Sequence, residues 1–166
     1  MKSELKSLAR SFSCAGAGVW YCICQERNFR IHLTIGLWVL LLAGYLQLGR
    51  MRTAILLLVM GLVLALELLN TALEAVVDLA CSDWHPLAKR AKDTAAGAVL
   101  AAAAAAVGIG GCLLWRPKQL LALGPWLLFS PVRWSTVLLL AAVSIWFIFY
   151  GGKKKKRSSP AEAGKK

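Results

Sequence analysis

An all-α integral membrane protein is what this sequence predicts: an N-terminal amphipathic surface helix, three core transmembrane helices and a fourth, C-terminal span. Three observations predict it. Hydrophobic residues make up 58% of the 166 and charged residues only 17%, and the apolar residues fall in long runs instead of the stripes of a soluble bundle. Four of these runs, at 31–48, 53–74, 94–115 and 134–150, approach the ~20 residues that a helix needs to cross a hydrocarbon core of about 30 Å. Finally, the basic residues are sorted along the chain. With the N-terminus inside, 15 Lys and Arg fall in cytoplasmic segments and 5 in external ones, so the positive-inside rule puts both termini in the cytoplasm.

The elements follow in order. Residues 1–30 scatter Lys2, Lys6, Arg10, Glu26, Arg27 and Arg30 among apolar positions, with none of the uninterrupted apolar core of a secretory signal. They predict a helix lying on the membrane surface that runs into the first span. The external turn near Gly49–Arg52 is short, which makes the first two spans antiparallel neighbours. The internal loop Cys81–Lys92 carries His85-Pro86, and proline restricts the residue before it. The third span holds Ala101–Ala106 with Gly97, Gly108, Gly110 and Gly111, and small residues of this kind let helices approach closely. Its Gly-Ile-Gly-Gly run lies deep in an apolar helix without a following Lys-Ser/Thr, so it is no phosphate loop. An external loop rich in Pro and Trp and the fourth apolar run follow. Domain organisation is thus a membrane domain at 1–116, an additional loop and span at 117–150, and a basic tail at 151–166 that is polar enough to be disordered.

A net charge of +12 would suit nucleic acid, but its placement at the cytoplasmic edge of the spans fits a membrane anchor, and no nucleic-acid partner is expected. The KKKKR run at 153–157 reads as a stop-transfer segment resting on anionic lipid. Cys14, Cys22, Cys24, Cys81 and Cys112 have no metal-site spacing and read as free thiols.

The second span is where chemistry enters. After the apolar run Ile55–Leu66 come Glu67, Asn70, Glu74 and Asp78. At about 100° per residue these four fall on one face roughly 80° wide, spread over about 16 Å of helix. An intramembrane carboxylate costs about 2.5–3.5 kcal/mol at the bilayer centre on insertion scales, so such groups mark function by default. Counting about 1.5 Å per residue from Thr53 puts Glu67 roughly two-thirds of the way across, at the inner headgroup boundary, with Glu74 and Asp78 in the cytoplasmic interface. Glu26 and Arg30 sit four apart at the mouth of the first span, and Lys92-Asp93 opens the third. Two readings fit this plane: polar faces ion-paired between neighbouring helices, or a site where carboxylates hold Mg²⁺ and cations meet phosphate. His32 and His85 read as packing or hydrogen-bonding residues.

At these residues the sequence resembles the prokaryotic diacylglycerol kinase family, and its Gram-positive undecaprenol kinase branch most closely. The segments that carry the resemblance are QERNFRIHL (25–33), ELLNTALEAVVDL (67–79) and HPLAKRAKDTAAGAVL (85–100), in order within one continuous block. The resemblance implies a homotrimer of three-span subunits in the bacterial cytoplasmic membrane, with active sites between subunits at the cytoplasmic surface. It implies Glu67 as the general base on a lipid hydroxyl, with Asn70 orienting it. Glu26 and Glu74 would hold the Mg²⁺ that accompanies ATP. Asp83, His85, Lys92 and Asp93 would contact the nucleotide, and Asn28, Arg30 and Ala96 would lie near the lipid. Such kinases bind ATP without a phosphate-binding loop, as expected here. The fourth span departs from the family pattern, which commonly ends after the third.

The expected activity is therefore ATP-dependent phosphorylation of a membrane lipid alcohol, undecaprenol before diacylglycerol. A non-enzymatic reading, a small oligomer or channel with its acidic face lining a pore, predicts polarity along the whole span. The polar face is instead confined to one end.

Overall fold

The computed structural model describes residues 2–152, and they form six helices: α1 (Lys2–Gln25), α2 (Arg27–Tyr45), α3 (Arg50–Ala80), α4 (Pro86–Leu114), α5 (Pro117–Leu128) and α6 (Pro131–Tyr150). Four of them, α2, α3, α4 and α6, are long and apolar enough to cross a membrane. The chain is an α-helical integral membrane protein. The basic run at 153–157 and the polar segment beyond it lie outside the described residues.

Element boundaries depart from the sequence reading in ways that matter for the site. The surface helix does not reach residue 30: it stops at Gln25, and Glu26 adopts an extended conformation (φ −102°, ψ 114°) before α2 begins at Arg27. A helix end leaves carbonyls without partners. Here Arg30, one turn into α2, folds back and donates from Nη1 to the carbonyls of Ile23 (2.9 Å) and Cys24 (3.4 Å). The break is thus closed by a side chain of the helix that follows it. The second span also extends past its apolar run. At 31 residues it is about 46 Å long, longer than a hydrocarbon core of about 30 Å, so its polar face has helix beneath it down to Ala80.

The turn between α2 and α3 ends in a positive-φ residue, Gln47 (φ 48°). Gln47 N–H donates to the Gly44 carbonyl and Leu48 N–H to that of Ala43, both at 3.1 Å, which closes the helix C-terminus in the usual left-handed fashion. Helices α3 and α4 pack against each other most extensively. The buried positions of α4, Ala95 and Val99, are one turn apart, the spacing that lines up one face. Where α2 meets α3, Gly36 faces Met60 closely enough that a β-carbon would sit 2.5 Å from Met60 Cε.

The Pro- and Trp-rich segment expected as a loop is instead the 12-residue helix α5. Pro117 occupies its first turn, where the missing N–H costs nothing. Arg116 donates from Nη1 to the Leu46 carbonyl at 3.2 Å, and Tyr45 and Trp126 rings lie 5.0 Å apart. These contacts tie the helix to the α2–α3 turn. Neither α5 nor α6 has a buried residue, and large apolar side chains are exposed on every helix. In water such a surface would aggregate; facing hydrocarbon or neighbouring subunits, it is what a membrane helix presents.

Candidate active site

The polar face of α3 turns inward at its upper end. Glu67 is 4% exposed, one of only three buried polar or charged residues among those described, with Arg30 and Thr34. Its carboxylate Oε1 lies 3.2 Å from His32 Nε2 on α2. One turn on, Thr71 Oγ1 donates to the Glu67 carbonyl at 3.1 Å. The sequence patterning therefore put four polar groups on one face, and folding buried the first of them.

Asn70 does not turn toward Glu67. It donates from Nδ2 to Glu74 Oε1 at 2.9 Å, and its Oδ1 is a buried acceptor with no hydrogen-bond partner. A buried acceptor without a donor is costly. An oxygen in that position, beside a carboxylate, is the kind of ligand a hard divalent cation takes. Among the described residues no three of His, Cys, Asp and Glu converge on one point, so Glu26 and Glu74 do not complete a metal shell within a single chain.

Nearer the C-terminal end of α3, Lys92 of α4 donates to Asp78 Oδ1. The pair borders a cavity of about 310 Å³ whose walls include Asp83, His85 and Lys89. His85 is the N-cap of α4, its Nδ1 accepting from Leu87 N–H at 3.2 Å. Of the residues that the resemblance assigns to the nucleotide, Asp83, His85 and Lys92 are thus gathered at one cavity. Asp93 is exposed outside it.

The lipid-side residues divide. Asn28 and Ala96 are exposed on α2 and α4. Arg30 is 5% exposed and four of its five N–H donors are engaged: besides the two α1 carbonyls, Nε and Nη2 both donate to the Ile148 carbonyl of α6 at 3.2 Å. In this chain Arg30 ties three helices together and spends most of its donors on the protein's own backbone. Cys22 is buried beside Thr71, and burial pushes its thiol above the usual range, which makes it an unreactive neighbour. All five cysteines are free.

His32 is the functional candidate that residue patterning undervalued. It is the one polar side chain lining a groove of about 440 Å³ between α2, α3 and α4, with Gly36, Met60, Val63 and Gly110 among the apolar walls. The available signal was its depth inside a span, where ionisable residues are functional by default.

Comparison with known proteins places these residues in a wider set. The family model described as prokaryotic diacylglycerol kinase matches residues 13–114. The diacylglycerol kinase of Synechocystis sp. is 54% identical over 112 residues, which cover 67% of this chain and 64% of that protein. The undecaprenol kinase of Bacillus subtilis is 42% identical over 117 residues, 70% of this chain and 94% of the relative. The diacylglycerol kinase of Escherichia coli K12 is 38% identical over 91 residues, 55% of this chain and 75% of the relative. The matched block contains α2, α3 and α4 with the last half of α1; α5 and α6 lie beyond it.

Proposed function

This chain belongs to the prokaryotic diacylglycerol kinase family, and on that premise we propose that it transfers the γ-phosphoryl group of ATP to the hydroxyl of a membrane lipid alcohol at the cytoplasmic face of a bacterial cell membrane, with undecaprenol as the substrate. The observation that carries the proposal is Glu67: a buried carboxylate directly after the apolar run Ile55–Leu66 of α3, with Asn70, Glu74 and Asp78 following it on the same helix. That is the depth at which a lipid hydroxyl, held by its hydrocarbon in the bilayer, meets a nucleotide from the cytoplasm.

In the proposed reaction Glu67 takes the proton from the lipid hydroxyl as its oxygen attacks the γ-phosphorus; the bond to the β-phosphate oxygen breaks and ADP leaves. Lys92, His85 and Asp83 line the cavity assigned to the nucleotide; Lys92 carries the cation that phosphate charge needs. Glu26 and Glu74 are assigned to Mg²⁺, and the unpartnered Asn70 oxygen beside Glu74 supports the fit of a hard cation there. When bound, Mg²⁺ neutralises charge that develops on the transferred phosphoryl group. The chain's own acidic residues stop short of a full shell, in keeping with a homotrimer whose sites lie between subunits.

Two lipids compete for the assignment. The NFRIH and HPLAK segments and the nearly full-length match to the Bacillus undecaprenol kinase favour the polyprenol. The higher identity to the Synechocystis diacylglycerol kinase favours diacylglycerol as the second reading. Purified full-length protein in mixed micelles, given ATP and each lipid under matched conditions, decides between them. The expected result is a higher kcat/KM for undecaprenol. A higher value for diacylglycerol selects the second reading, and transfer to neither lipid overturns both.

A further inference from the structure

We propose that His32 is a positioning residue of the phosphoryl-transfer site, its imidazole N–H fixing one oxygen of the Glu67 carboxylate so that the other is left to take the lipid hydroxyl's proton. This inference rests on the lipid kinase reading given above and adds a residue to it.

Three independent observations meet at this side chain. Its Nε2 is 3.2 Å from Glu67 Oε1, and Glu67 has no other side-chain partner among the described residues; Thr71 bonds only its backbone carbonyl. The imidazole is also the single polar lining of the apolar groove between α2, α3 and α4, whereas Glu67 does not line it. The imidazole thus stands between the carboxylate and the hydrocarbon-facing space from which a lipid alcohol arrives. Lastly, the backbone beside His32 is held firmly on both sides. Arg30 is locked to three carbonyls, of Ile23, Cys24 and Ile148, and Thr34 Oγ1 donates to the Arg30 carbonyl at 2.7 Å. Four residues along, Gly36 lets α2 approach Met60 of α3.

The need for such a residue follows from the burial of Glu67, because a buried carboxylate without a donor is strongly disfavoured. A neutral imidazole donating through Nε2 meets that need without adding a full positive charge, which would compete for the proton that the base has to accept. One carboxylate oxygen is then occupied and oriented, and one is free. During transfer the substrate O–H bond breaks, the new O–P bond forms, the proton resides on the free oxygen of Glu67, and ADP departs. His32 keeps its proton throughout. A group placed to within a fraction of an ångström by such support is worth one to two orders of magnitude in rate.

The test is a double-mutant cycle on full-length protein in mixed micelles, with kcat and both KM values measured for His32→Leu, His32→Gln, Glu67→Gln and the double variant Glu67→Gln/His32→Leu. His32→Leu should lower kcat by about ten- to a hundredfold and leave the Mg-ATP KM within about twofold. His32→Gln, which still offers an N–H to Glu67, should recover most of that loss. In the Glu67→Gln background His32→Leu should have little further effect, because a positioning residue has nothing left to position. Full activity in His32→Leu, or a loss that simply adds to that of Glu67→Gln, overturns the assignment. A separate arm reads the contact without turnover. The chain has 2 histidines, and ¹⁵N labelling with His32→Gln as the assignment control should show an Nε2–H tautomer for His32 that shifts in Glu67→Leu. A tautomer indifferent to Glu67→Leu also overturns the proposal, even if the enzyme is active. An intact tautomer response in a protein that phosphorylates neither lipid would instead locate the failure in the kinase reading.

Discussion

The block formed by α2, α3 and α4 and the hairpin formed by α5 and α6 are both largely apolar but differ in internal chemistry. Among the described residues the three buried polar ones, Arg30, Thr34 and Glu67, all sit in the block, and the hairpin helices bury none. The hairpin is attached by bonds that mostly use its backbone or its surface. Ile148 offers its carbonyl to Arg30. Ser144 Oγ accepts from Trp38 Nε1 at 3.1 Å, and the Phe149 ring lies under Arg27 at 5.9 Å. The difference teaches that hydropathy alone does not separate a functional span from a supporting one. What separates them is whether a span carries a charge that the fold has gone on to bury and partner, because only a functional return keeps a charge in hydrocarbon.

Several substitutions can break or sharpen this contrast. The largest effect belongs to Glu67→Gln, which keeps shape and hydrogen bonding but removes proton acceptance. Its kcat should fall by about 10²–10⁴-fold, the usual contribution of a general base, with Mg-ATP KM little changed in initial-rate measurements. Full activity in this variant would strip the block of its claimed centre. Glu74→Gln comes next. It loses a charged oxygen ligand and frees Asn70, so the Mg²⁺ needed for half-maximal rate should rise by roughly ten- to a hundredfold, and excess metal should relieve part of the defect. If the loss does not respond to metal in a Mg²⁺ titration, Glu74 is part of a polar face and not of a metal site.

Arg30→Ala joins the two regions in one experiment. It leaves the half-buried carbonyls of Ile23, Cys24 and Ile148 without this donor, and bonds from a charged donor contribute about 1.5–3 kcal/mol. Thermal unfolding in detergent should show a loss of about 2–3 kcal/mol on that basis, while the ratio of kcat/KM for undecaprenol to that for diacylglycerol stays constant. A changed ratio would return Arg30 to the lipid site. The smallest effect is expected for Ser144→Ala, which removes one half-buried acceptor on the hairpin. It should cost about 1 kcal/mol or less in the same unfolding assay and leave kinase rates unchanged; a marked rate loss would show that α6 supports catalysis as well as the fold.

Much of this molecule was legible before folding. The apolar runs named four spans, and all four are helices of spanning length. The 3.6-residue period aligned Glu67, Asn70, Glu74 and Asp78 on one face of α3, and family-like segments marked the same block that the comparisons matched. These features are local: helix formation and membrane insertion depend on composition within about 20 residues, and spacing along one helix fixes which side chains share a face. The partners of those side chains were not legible. Asn70 bonds Glu74 and not Glu67, His32 is the residue that reaches Glu67, and Arg30 spends its donors on carbonyls of α1 and α6. The position of the break at Glu26 was hidden for the same reason, since the donor that closes it comes from the next helix. Pairing across helices depends on how deep each helix sits and how it is rotated against its neighbours, and those quantities are set by close packing such as that of Gly36 on Met60. By itself the sequence determined which polar residues follow the apolar run of α3 and on which face of that helix they lie. Only the tertiary structure decided which of them touch, because a contact between helices is a property of two rotations and a depth that no single helix contains.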